Sequence, residues 1–224
     1  MISVSQTTFF PRSLLLCVAV VGCATPDLRN VAVVEPGILV RSGQPTALGL
    51  AEARDTFGVR TVVNLNTSTV DEEMVTALAL GLDYVALPTK TYQIERDHLI
   101  LVLALIRQAE AEGRAPVLVH CRSGQDRTGA AVAIFRTLGQ GQSVETAIEE
   151  QARYRHWTHD VLFPHLYGVV RNMNDFDDMW AEVLEKTGQV PVIRPPAPWP
   201  YEGAPPSSVN PHSDVTRSVV PGLL

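Results

Sequence analysis

The chain has 224 residues, 46% of them apolar, and a formal net charge of −6. That supports one packed domain with extra segments at its ends and excludes a disordered polymer. It also lacks the basic excess of a general nucleic-acid binder, although a local pocket can be positive while the whole is acidic.

Residues 1–12 are polar to mixed and include Arg12; the apolar run Leu14–Val21 follows and ends in Gly22-Cys23. The run falls far short of the ~20 residues that a bilayer-spanning helix needs, and it has the length of a signal-peptide core. Val20-Val21-Gly22-Cys23 resembles a bacterial lipobox. That resemblance implies removal of residues 1–22 and a lipid on Cys23, so that the protein sits in the bacterial cell envelope, anchored to a membrane and facing periplasm or exterior. Ordinary secretion with cleavage nearby is the alternative. Residues 23–30 then read as a tether, 31–187 as the folded domain, and 188–224, crowded with prolines, as an extended tail without fixed structure.

Val31–Val34 and Ile38–Arg41 read as two short strands around the turn Glu35-Pro36-Gly37. Pro45-Thr46 opens a helix to Phe57, stopped by Gly58, and Thr61–Leu65 is a buried strand. Asp71–Leu80 is a helix with an acidic first turn, and Asp83–Leu87 is a further strand. Glu95–Ala111 carries apolar residues at helical spacing, including Leu99, Val102, Ile106 and Ala109. Pro116–His120 is a continuous apolar run, as expected of a central strand covered on both faces. Helices follow over Thr128–Leu138, over Ser143–Tyr154 with Ser143 as N-cap, and over Leu162–Lys186. Strand and helix alternate through most of the chain, which predicts an α/β fold with a central, mostly parallel sheet flanked by helices.

Cys17 and Cys23 lie in the leader and at its end, so Cys121 is the one thiol of the domain and no disulfide forms within it. Its setting is His120-Cys121-Arg122-Ser123-Gly124-Gln125-Asp126-Arg127-Thr128-Gly129, between a buried strand and a buried helix. An α/β fold places anion sites there, beyond the carboxyl end of a strand and at a helix N-terminus. A loop curling from Cys121 to Arg127 aims successive backbone N–H groups inward as a nest for an oxyanion, and Gly124 supplies backbone angles that other residues resist. The planar fork of Arg127 binds two phosphate oxygens at once. A helix N-terminus with nearby cations favours the thiolate, which is the attacking form of cysteine.

The segment resembles the HCx5R[ST]G signature of the protein tyrosine phosphatase superfamily and is closest to its bacterial dual-specificity-like members. Val40-Arg41-Ser42-Gly43-Gln44-Pro45 is similar to a segment near the start of those domains, followed by a helix and the strand Val62–Leu65. The resemblance covers roughly residues 31–185 and implies a dual-specificity phosphatase-like fold. It further implies phosphate-monoester hydrolysis through a phosphocysteine, without metal or cofactor. Cys121 is then the nucleophile and Arg127 the phosphate clamp. The Thr128 hydroxyl helps the sulfur leave; Arg122, Ser123, Gly124 and Gln125 cradle the phosphate, and His120 orients the loop. Substrates would be phosphorylated proteins, lipids or small molecules, with no nucleic acid.

The leaving group needs a proton. Family members commonly supply it from an Asp after the strand that precedes the long helix, but here Leu87-Pro88-Thr89-Lys90 has none. Asp126, Glu95 and Asp97 remain candidates; the last two also suit a helix N-terminus. Arg41 reads as a structural residue paired with an acid at the surface, with a reach to the phosphate loop as the alternative; Arg122 and Lys90 read as charges at the pocket mouth, and Arg153, Arg155, His156, Trp157, His159 and His165 as packing or rim. Two other classes stay open: a catalytically silent phosphatase fold that binds partners in the envelope, and a rhodanese-like sulfurtransferase.

Overall fold

The computed structural model describes residues 27–90, 94–155, 168–172 and 175–195. Residues 1–26, with Cys17, Cys23 and the leader, lie outside the described residues, as do His156, Trp157, His159, His165 and the tail beyond Pro195.

Five strands form one sheet in the order β1-β2-β5-β3-β4: β1 Ala32–Glu35, β2 Leu39–Ser42, β3 Thr61–Asn64, β4 Asp83–Ala86 and β5 Val117–His120. β1 runs antiparallel to β2, and the other four strands are mutually parallel. Parallel strands need crossovers, and helices supply them. α1 Ala47–Phe57 joins β2 to β3, α2 Val70–Ala79 joins β3 to β4, and α3 Arg96–Ala111 returns to the middle as β5. α4 Asp126–Ile134 and α5 Val144–Ala152 follow, with α6 Gly168–Arg171 and α7 Phe176–Lys186 after them.

Alternate residues of each strand feed two cores, as the pleat requires. Val40, Val62, Tyr84 and Leu118 pack with Leu50 and Ala53 of α1 and Ala77 of α2. Leu39, Val63, Val85, Val117 and Val119 pack with residues of α3, α4, α5 and α7. A strand covered on both faces has no polar side to show, which is why Val117–His120 reads as one apolar run.

Local chemistry sets the element ends. Thr46 caps α1, its hydroxyl accepting from Gly49 N, and Gly58 closes that helix in a left-handed conformation (φ 70°). Ser143 caps α5 in the same way through Thr146 N.

Three boundaries differ from the sequence expectation. The helix expected over Thr128–Leu138 starts earlier, at Asp126, and ends as a π-turn over Phe135–Gly139. The single helix expected over Leu162–Lys186 is interrupted: Asn172 forms a turn and Asp175 lies outside α7 with φ −112°, consistent with the preference of Asn and Asp for caps over helix interiors. The packed body also runs past 187. Val190 is buried, and Ile193 pairs with Tyr84 through N–H···O bonds of 2.8 and 2.9 Å, covering the β4 edge.

Candidate active site

Because β2, β5, β3 and β4 are parallel and in register, their carboxyl ends meet at one edge. Ser42 and Asn64 both align with His120, and Ala86 aligns with Asn64. The chain leaving β5 there is Cys121, buried between the exits of β2 and β3. α4 then starts at Asp126, so Cys121 through Gln125 form the loop between central strand and helix.

Three successive loop carbonyls are held from outside, and the fourth opens α4. Arg122 O accepts from Gln44 N at 3.2 Å, Ser123 O from Asn30 Nδ2 at 2.8 Å, Gly124 O from the Arg41 guanidinium, and Gln125 O from Gly129 N at 3.0 Å. The N–H groups of Arg122 through Gln125 donate to no described residue. With the carbonyls pulled outward, the N–H groups are left to the inside of the curl, the arrangement of an anion nest. Gly124 makes the curl possible. Its φ is +71°, and a Cβ there would lie 2.5 Å from Gly43 N and 2.7 Å from Ser42 C.

The segment Arg41–Gln44 is the brace that holds this curl. Arg41 is buried, donates to Gly124 O and to Gln151 Oε1, and stacks its guanidinium 3.7 Å from the Tyr154 ring centre. It therefore reaches the phosphate loop, at a backbone carbonyl, rather than standing at the surface as expected from the sequence. Gly43 N donates to Arg29 O at 2.7 Å. Asp27–Asn30, read from sequence as tether, are built into this brace: Leu28 is fully buried and Asp27 O accepts from Thr46 N at 3.1 Å.

Arg127 is 6% exposed, and Nη1 is fixed to two backbone carbonyls, Leu65 O at 2.9 Å and Thr89 O at 2.8 Å. Nε takes no hydrogen bond. One corner of the guanidinium is thus anchored while the Nε–Nη2 edge stays available for a bidentate acceptor.

Thr128 is buried with its hydroxyl toward Ser42 O at 3.5 Å, a long contact, rather than on a sulfur. Asp126 is buried as the first residue of α4 and has an interaction of its own. Glu95 precedes α3 and is exposed; Asp97 is exposed with Arg96 at 3.9 Å. Arg122 and Lys90 are exposed. His120 is fully buried, its Nε2 lying 2.7 Å from Glu73 Oε1.

Glu73, Asn66, Asn30 and Gln151 all serve the loop and were not singled out by sequence; Gln44, which serves it too, entered only as part of the Val40–Pro45 segment. Glu73 looked like one of three acids suited to the N-terminal dipole of α2. Its burial became visible only when α2 was placed against the sheet edge.

Residues 28–158 match the family model described as PTP-SAK, Swiss Army Knife protein, DSP-PTPase phosphatase domain. The dual specificity protein phosphatase TpbA of Pseudomonas aeruginosa is 33% identical over 115 residues, which is 51% of this chain and 50% of that protein. The chain thus spans about half the length of the curated relatives it matches. The crystal structure of P. aeruginosa TpbA is similar at TM-score 0.57 and 25% identity, covering 71% of this chain and 98% of that one. The catalytic core of the S. cerevisiae PP-IP phosphatase SIW14 has a TM-score of 0.58 at 20% identity, covering 73% of this chain and 96% of that one, a likeness of fold.

Proposed function

The chain belongs to the PTP-SAK family of DSP-PTPase phosphatase domains, and we propose that it hydrolyses phosphate monoesters through Cys121. The observation that carries this reading is the loop itself. Three of its carbonyls are held outward, and Arg127, 6% exposed with Nη1 anchored, keeps its buried Nε without a hydrogen bond at the far end of the loop from Cys121. That is a cradle for a tetrahedral oxyanion with a nucleophile at its base.

In the proposed reaction the Cys121 thiolate attacks phosphorus, an S–P bond forms, and the P–O ester bond breaks. The inward N–H groups and the Arg127 fork hold the equatorial oxygens. Asp126, buried at the mouth of α4, protonates the departing oxygen; Glu95 and Asp97 stand on the exposed start of α3 and serve less well. Water then attacks phosphorus and gives its proton to the Asp126 carboxylate, the S–P bond breaks and the thiolate returns.

Phosphotyrosine-type aryl phosphates are the proposed substrate class. The supporting observation is the P. aeruginosa TpbA structure in complex with pTyr, similar at TM-score 0.54 and 25% identity. We further propose a lipid on Cys23. From Cys23 to the pinned Asp27 is four residues, a reach of at most ~14 Å, so such an anchor would hold the catalytic end of the sheet close to a membrane. Mass spectrometry of mature protein from cells checks this; an unlipidated Cys23 overturns it.

The test uses purified chain with para-nitrophenyl phosphate, a chelator and a reductant. Hydrolysis is expected, inhibited by vanadate and lowered at least ~10³-fold in Cys121→Ser. Asp126→Asn is expected to slow a phenyl phosphate far more than the nitrophenyl ester, whose leaving group needs little help. Folded protein without hydrolysis would overturn the reading in favour of a binding role, and sulfur transfer from thiosulfate would replace it with a sulfurtransferase.

A further inference from the structure

A chain of hydrogen bonds behind the loop has its polarity set by the backbone. Thr67 N–H can only donate, and it donates to Asn66 Oδ1 at 3.0 Å. Asn66 therefore presents Nδ2 to Gln44 Oε1 at 2.9 Å and to Ser68 Oγ at 3.1 Å. Gln44 in turn presents Nε2 to Glu73 Oε2. One oxygen of Glu73 is left, and it lies 2.7 Å from His120 Nε2. Both side chains are buried there, Glu73 at 4% and His120 at 0% exposure.

Read in that direction, a carboxylate with an amide donor on one oxygen accepts on the other, so the imidazole carries its proton on Nε2. The second ring nitrogen, Nδ1, is buried and takes no hydrogen bond, so nothing on that side competes to set the tautomer. The network is also tied into the loop brace, because Gln44 N donates to Arg122 O. Beyond it, Asn64 Oδ1 accepts from Asn66 N at 2.6 Å, Asn64 Nδ2 donates to Tyr84 Oη at 2.9 Å, and that hydroxyl reaches Val70 O at 3.4 Å. Burial and the nearby Glu73 carboxylate push the Tyr84 hydroxyl well above its ordinary range, so it remains a neutral donor.

We propose that Glu73, oriented through Gln44 and Asn66, is a positioning residue that fixes the tautomer and ring orientation of His120, the residue from which the nucleophile-bearing loop departs. Its effect on rate rests on the phosphatase reading; its effect on the imidazole does not. Glu73 touches neither substrate nor sulfur in this role. It acts by holding the end of β5 in one arrangement, so that Cys121 enters the loop at a single angle.

The experiment pairs ring-nitrogen NMR of His120 in the full chain with steady-state kinetics on para-nitrophenyl phosphate. Native protein is expected to show one tautomer, protonated on Nε2. Glu73→Leu is expected to show mixed tautomers and a kcat about 10-fold lower with KM changed less than about two-fold, the scale of one lost charged hydrogen bond. Glu73→Gln offers one acceptor to two donors, Gln44 Nε2–H and His120 Nε2–H, so it is expected to lose the single Nε2–H tautomer as well, with a smaller fall in kcat than in the leucine variant; it also serves if the leucine variant does not fold. An Nδ1–H tautomer in native protein, an unchanged tautomer in Glu73→Leu, or unchanged kcat despite mixed tautomers would each overturn the proposal. If native protein shows no hydrolysis, the phosphatase reading fails while the NMR outcome still decides the tautomer.

Discussion

Each end of the parallel sheet holds a buried acid. At the amino end Asp83 opens β4, and Arg114 grips both of its oxygens at 2.8 Å; Arg194 stands 3.6 Å away and also pairs with Glu112. At the carboxyl end Glu73 is gripped as completely, by His120 and Gln44. The two ends differ in what surrounds these pairs. Around the loop, His120, Gln125, Arg127 and Gln151 each keep a buried polar atom without a hydrogen bond, while the Asp83 cluster closes on itself. An unmet buried donor or acceptor costs roughly 1–3 kcal/mol. Unmet atoms also occur away from the loop, at His98 and Arg107 of α3, so they mark a site only together with the inward N–H groups of Arg122 through Gln125; on that combination one end serves stability and the other carries capacity to bind.

The sharpest way to break that contrast is to exchange arginine for lysine at each end. Arg127→Lys keeps the charge and loses the fork. We expect kcat/KM on an aryl phosphate to fall about 10²–10³-fold, the scale of losing a preorganised oxyanion donor. Arg114→Lys should leave kcat/KM unchanged and lower the melting temperature instead. Equal activity losses in the two variants, measured on folded protein, would end the distinction.

A smaller effect sharpens it. Gly124 and Gly141 share a positive φ, +71° and +70°. A Cβ on Gly141 meets nothing within 4 Å, whereas on Gly124 it strikes Gly43 N and Ser42. Alanine costs both sites about 1 kcal/mol of backbone strain. Only Gly124→Ala also pushes the loop off its brace, so kcat/KM is expected to fall about 10-fold there and to hold in Gly141→Ala. Parallel melting curves and rates decide it.

The carboxyl end was partly legible in the sequence because its information is local. Cys121, Gly124 and Arg127 sit within seven residues of one another, between an apolar strand and an apolar helix, so spacing alone suggested a cradle. The five strands were legible for a similar reason, since Thr61–Asn64 and Val117–His120 are unbroken buried runs. What escaped is held by distant partners. Glu73 lies 47 positions from His120, and Asn30 lies 93 from Ser123. Nothing in Asp27-Leu28-Arg29-Asn30 announces a periodicity, so a fully buried Leu28 passed for tether. At the other end of the chain, prolines suggested a tail from 188, yet Val190 and Ile193 are apolar side chains with a sheet edge to cover.

The smallest effect on activity should come from Asp83→Asn, and it tests the comparison from its stability side. The carboxylate is 2% exposed and holds Arg114 in a two-pronged grip. Breaking a fully buried pair costs about 3–5 kcal/mol. Arg114 is 30% exposed, so water takes up part of the orphaned charge and about 2 kcal/mol is the expected loss. For a domain of this size that lowers the melting temperature by about 4–8 °C. The strand registers run unbroken from Asp83 to the site, Thr61 facing Asp83 and Asn64 facing His120, so a coupled sheet would carry the damage to the loop. We expect it not to. The loop is fixed by Arg41, Gln44, Asn30 and Gly129, all at the carboxyl end. At 25 °C, where the variant remains folded, kcat/KM should stay within about two-fold of native. A larger loss there would mean that the amino end also sets the geometry of the loop, and the division between a stabilising end and a reacting end would have to be given up.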